Sequence, residues 1–159
     1  MRSAVPAVML GAMGVFHLVA SFATFIPTFV HDRMAKQFVP VWQFLLTLPG
    51  SSPPSESWVK AMAVGSQFVI GFSEAAIGLT LLCAAAMGRR RMGLASFALA
   101  WSAGLFSVFM LTMFAMHDKN LPAWNQYPAI LAWIGVTWVA VALSSGGSEK
   151  PSEGRTSAS

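Results

Sequence analysis

Glu74 is the only charged residue between Ala61 and Met87, in the run GFSEAAIG. A carboxylate at the middle of a bilayer costs about 2.5–3.5 kcal/mol, so it needs a partner, a proton or a task. The residue best placed to meet it is His17, at the centre of the first apolar stretch. Adjacent antiparallel spans bring the two to one level, with Ser107 and Thr137 nearby and Gln67 on the same helical face as Glu74. The expectation is a midplane polar cluster of His17, Gln67, Glu74 and Ser107 built on a His17–Glu74 pair. Three kinds of chemistry are open to such a pair. It can hold the bundle together through an interhelical hydrogen bond or ion pair. It can carry protons or bind a polar head group, as in a small proton-coupled carrier. It can act as acid and base on a lipid-soluble substrate such as a quinone.

A second constellation lies outside the apolar stretches, at His31, Asp32, His117 and Asp118. Two imidazoles and two carboxylates suit zinc or another divalent ion if their loops meet. Their spacing matches no ligand signature, so hydrated helix-end residues and no bound metal are expected. P-loop, GxSxG and HExxH motifs are absent, which leaves nucleotidase and hydrolase readings unsupported. Cys83 is the only cysteine, so an internal disulfide and a CxxC redox pair are excluded. No resident cofactor is expected; a quinone is the one left open.

These groups sit in a chain built for lipid. Of 159 residues, 55% are hydrophobic and 10% charged, against about 25% charged in soluble domains. The net charge of +4 is not gathered into a basic stripe with interleaved aromatics, so nucleic acid is not an expected partner. Four apolar segments, about 5–26, 59–87, 92–116 and 128–143, predict an all-α, integral membrane four-helix bundle, because each can cross about 30 Å of hydrocarbon at 1.5 Å per residue. The first is too long for a cleaved leader's apolar core and is expected to remain as a span. In the first outer loop PVWQFLLTLPG places Phe38, Val41, Trp42, Leu45 and Leu48 on one face, with Pro40 to start a helix and Pro49-Gly50 to end it. A short interfacial helix is predicted there. HDR at 31–33 with PVW at 40–42, and HDK at 117–119 with PAW at 122–124, have the look of a weak hairpin duplication.

Four spans put both termini on one side, with Arg2, Arg89, Arg90, Arg91, Lys150 and Arg155; the other side carries Arg33, Lys36, Lys60 and Lys119. That bias predicts cytoplasmic termini, and the plasma (bacterial inner) membrane is the expected location. The polar tail at 145–159 has too few apolar residues for a core and is expected to be disordered. Small and polar residues form one stripe per span: Gly14, His17, Ser21, Thr24 and Thr28; Ala63, Gln67, Gly71, Glu74, Gly78 and Ala85; Gly93, Ser96, Ala100, Ser107 and Phe114. Such stripes are where helices approach one another in lipid.

The stretch GFSEAAIGLTLLCAAAMGRRRMG, with an acidic residue, a following Gly and Leu-Leu, then a short basic turn into a third helix, resembles the DoxX-like family of small four-helix membrane proteins. The likeness covers about residues 5–143 in span number and loop pattern, and its specific part is about 67–93. It implies a four-helix bundle of the kind named after a subunit of a thiosulfate–quinone oxidoreductase, with Glu74 as the matching polar position. The chain has no cysteine pair or haem-ligand set of its own. The expected role is therefore a non-catalytic subunit or assembly partner of a membrane complex, with the bilayer and other membrane proteins as partners and the oligomeric state open.

Overall fold

A backbone in hydrocarbon finds no water, so every N–H and C=O must be satisfied within the chain, and a long apolar segment does this by becoming a helix. The computed structural model describes residues 4–30, 38–47, 55–87, 92–116 and 123–145. They form α1 (Ala4–Val30), α2 (Val39–Leu46), α3 (Glu56–Met87), α4 (Met92–Met116) and α5 (Ala123–Ser145). Four of the five are long and apolar enough to cross a membrane. The fold is an all-α four-helix bundle with one short extra helix.

The long helices form a ring in chain order. α1 packs on α3, α3 on α4, α4 on α5, and α5 returns to α1. The α1–α3 seam is the tightest. A Cβ on Gly14 would stand 3.0 Å from the Gly78 carbonyl oxygen, and a Cβ on Gly78 would stand 2.9 Å from that of Gly14. The two backbones are in contact because neither residue has a side chain. Dispersion across such close approaches is what holds helices together where the solvent is itself apolar. Leu10, Met13, Ile77, Leu81, Ala84, Ala95, Ala98, Leu99, Phe106, Ile134 and Val141 fill the space inside the ring. Val15, Val19, Phe22, Val69, Phe72, Phe97, Val108, Leu111, Val136 and Val139 point outward and are exposed, a surface suited to lipid.

Two prolines lie inside helices rather than at their ends. α1 runs through Pro27, where the sequence reading stopped the first span, to Val30. A proline inside a helix lacks the N–H that would bond four residues back, and its ring crowds the preceding turn. Neighbouring side chains commonly make good the loss within a membrane. The carbonyl that Pro27 leaves without its usual donor is that of Ala23; Gln67 braces the next residue, donating through Nε2 to the Thr24 carbonyl at 2.7 Å. Likewise α5 begins at Ala123 and contains Pro128, so it starts a full turn before the expected 128.

α2 has proline near its first position, where a missing N–H costs nothing. It ends at Thr47, ahead of the Pro49-Gly50 signal. It packs against both α3 and α4, and Trp42 Nε1 donates to Ser66 Oγ at 2.7 Å. Phe38, Val41, Trp42 and Leu45 are half-buried, as are Val39, Phe44 and Leu46, while Pro40 and Gln43 are exposed; Leu48 lies outside the described residues. The polar tail from 146 onward lies outside the described residues.

Candidate functional site

The polar groups of the interior come mainly from α1 and α3. His17, Ser21 and Thr24 line one face of α1; Gln67, Gly71, Glu74 and Gly78 line one face of α3, and all are buried. The contacts Gly14–Gly78 and Ser21–Gly71 fix the antiparallel register of the two helices. That register sets position 17 level with position 75, so His17 and Glu74 do stand at one height.

They are not bonded to each other. His17 Nε2 lies 2.8 Å from Ser102 Oγ on α4, and Glu74 Oε2 accepts from Thr24 Oγ1 at 3.2 Å. His17 Nδ1 is buried with no hydrogen-bond partner. The expected His17–Glu74 pair is therefore replaced by two separate contacts. The reason is the tilt of helical side chains, which lean toward their own helix's N-terminus. On antiparallel neighbours, two side chains at one level lean in opposite directions. Glu74 leans toward the turn that faces Thr24, and His17 leans away from it.

The two residues instead face different neighbours. His17 reaches from α1 to α4. Its ring lies edge-on to Phe16 at 5.4 Å between centroids and 5.8 Å from Phe106. Glu74, on α3, is within electrostatic reach of Tyr127 on α5. The Tyr127 ring packs on Phe106 and Phe109 at 5.6 and 5.8 Å. The carboxyl region is thus built on the α1–α3 seam, by Thr24 from α1 and by Gln67 and Glu74 from α3. Ser21 Oγ ties the seam by donating to the Gly71 carbonyl at 2.8 Å.

Ser107 does not belong to this set. It is half-buried and takes no part in the contacts of His17, Gln67 or Glu74, and the α4 serine that does is Ser102. The two are five residues apart, about 140° around a helix of 3.6 residues per turn. The whole expected face of α4 is displaced with them. Gly93, Ala100 and Phe114 are exposed, while Ala95, Ala98, Leu99, Ser102 and Phe106 are buried. α4 carries two stripes of small residues, and periodicity alone does not say which one turns inward. Thr137 is buried but donates to the Trp133 carbonyl of its own helix at 2.8 Å.

The sequence signals that passed unused are modest. Ser102 follows Ala95, Ala98 and Leu99 at helical spacing. Tyr127, the only tyrosine in the chain, reads from sequence as an interfacial anchor rather than an interior group. His31, Asp32, His117 and Asp118 lie outside the described residues. Among the described residues no group of three or more His, Cys, Asp or Glu side chains could hold a metal ion.

The His17–Ser102 contact has a measurable consequence. Interhelical side-chain hydrogen bonds in membrane proteins contribute about 0.6 kcal/mol on average and up to about 1.7. A double-mutant cycle of His17→Phe and Ser102→Ala, read by unfolding in detergent, is expected to give a coupling energy toward the upper end, because burial leaves His17 no water. A coupling near zero would show that the contact does not stabilise the fold.

Compared with known proteins, the chain matches no family model, no curated protein and no solved structure.

Proposed function

We propose that the chain is a non-catalytic subunit or assembly partner of a membrane complex, of the DoxX-like kind, inserted in the plasma membrane with both termini in the cytoplasm. The observation that carries this reading is the closed interior. His17, Ser21, Thr24, Gln67, Glu74, Ser102 and Thr137 are all at or below 9% exposure, and each makes a hydrogen bond to another helix or to its own backbone. A group that acts on a diffusing substrate needs a way in, whereas a packed, hydrogen-bonded interior is what a scaffold needs. The resemblance adds a quinone-linked redox complex as the candidate assembly.

Affinity purification in mild detergent tests the reading directly. A stoichiometric integral membrane protein is expected to co-purify. A chain that elutes alone, with lipid only, would count against a subunit role. Orientation is tested separately by cysteine labelling in a Cys83→Ala background, since Cys83 is itself exposed. Cysteines at Ser52 and Ser152 should react from opposite faces, with position 152 reached from the cytoplasm.

A further inference from the structure

Glu74 is buried in a place where no described residue offers it a cation. The elements packed around it carry few titratable groups. α1 supplies only His17, already engaged by Ser102, and α5 supplies only Tyr127. α2 and α4 contain none. α3 itself adds Glu56, Lys60 and Cys83, all exposed and more than two helical turns away. A buried carboxylate without a counter-charge is costly, and a proton is the simplest remedy.

The hydrogen-bond count around Thr24 points the same way. Thr24 Oγ1 lies 3.0 Å from the Ala20 carbonyl oxygen and 3.2 Å from Glu74 Oε2. A threonine hydroxyl has one hydrogen, so it cannot donate to both. If Glu74 bears a proton, its O–H donates to Thr24 Oγ1 while Thr24 donates to Ala20. Both contacts are then made at once.

The surroundings of Glu74 are also unequal at its two ends. Toward the C-terminal end of α3, Leu10, Met13, Ile77, Leu81, Ala84, Ala95, Ala98, Leu99 and Val141 are each at most 1% exposed. The Gly14–Gly78 backbone contact closes the α1–α3 seam on that side. Toward the N-terminal end of α3 stand Thr24, Gln67 and Tyr127, and beyond them Ser66 with its bond to Trp42. Proton transfer needs polar groups or water in sequence; at the other end His17, Ser102 and Thr137 are the last buried polar side chains among the described residues, and those buried beyond them are apolar.

We propose that Glu74 is a reversible proton-binding site that exchanges with one face of the membrane only, the face at the N-terminal end of α3, by way of Thr24 and Gln67. Beyond His17 and Ser102 the other half of the bundle is an apolar seal, so the site takes up and releases a proton without conducting it across. This does not depend on the subunit reading above: it requires a proton at Glu74 and says nothing of what the bundle binds.

The test uses dicyclohexylcarbodiimide, a membrane-permeant reagent that attacks protonated carboxyls. Right-side-out and inside-out vesicles are prepared with the internal pH clamped and the external pH varied. Modification of the Glu74 peptide is read by mass spectrometry, with orientation assigned by labelling a cysteine at position 52. In the vesicles that present the N-terminal end of α3 outward, modification should fall about tenfold per pH unit above the midpoint. In the opposite vesicles it should not respond. A response in both orientations, in the wrong one or in neither would overturn the proposal. Infrared spectroscopy gives an independent reading. A protonated-carboxyl stretching band should be lost in Glu74→Gln and shifted in Thr24→Val, and a wild-type protein without such a band would also overturn it.

Discussion

Gly78→Val is expected to abolish the folded bundle. The Cβ of any residue at position 78 would stand 2.9 Å from the Gly14 carbonyl oxygen and from Leu18 Cγ. Leucine can rotate aside, but a backbone carbonyl moves only if α1 moves. Overpacking a well-packed interior costs about 1–3 kcal/mol where side chains can adjust, and here the obstacle is the main chain of the tightest seam in the ring. Separating α1 from α3 also breaks the Ser21–Gly71 and Gln67–Thr24 bonds, so the losses compound. Thermal unfolding in detergent, with elution profile as a second reading, checks this. Gly104→Ala is the control, because nothing lies within 4 Å of a Cβ there. If both variants behave like wild type, the close crossing at Gly14 and Gly78 is not what holds α1 to α3.

The second large effect is expected from Glu74→Lys. Glu74 is 5% exposed and no carboxylate among the described residues lies near to receive an ammonium. A lysine in the centre of a span costs about 2.5–3.5 kcal/mol on insertion scales. It would have to leave the interior or disrupt it, and little folded protein should accumulate in the membrane. Glu74→Gln keeps the shape and the ability to hydrogen-bond Thr24, and should stay close to wild-type stability. The comparison isolates charge from volume. Equal yields of folded Lys and Gln variants would mean that position 74 reaches water or lipid headgroups.

The helices themselves were legible without coordinates, because hydrocarbon admits little else. Long apolar runs must be helical to satisfy their own backbone, and their lengths announce four spans. The proline punctuation was less reliable. Pro27 and Pro128 lie within α1 and α5, since a membrane helix tolerates one lost backbone bond. The inward faces of α1 and α3 could be read as well. Each has a single stripe rich in small and polar residues, and only that stripe permits the close approach seen at Gly14 and Gly78.

What only the tertiary structure decided is rotation and reach. α4 has two small-residue stripes, and its turn about its own axis is set by packing on α3 and α5, so Ser102 rather than Ser107 faces His17. Height along the spans followed from sequence, and the Gly14–Gly78 and Ser21–Gly71 contacts set His17 and Glu74 at about one level. Their partners did not follow, because bonding depends on where each side chain leans. Antiparallel neighbours send level side chains apart, toward Ser102 in one case and Thr24 in the other. Tyr127 becomes an interior group for a similar reason: α5 begins a turn early, and the ring closes so that its aromatic face rests on Phe106 and Phe109. A one-dimensional pattern specifies which residues share a face and a level, while the direction of a side chain across a bundle is a property of all four helices at once.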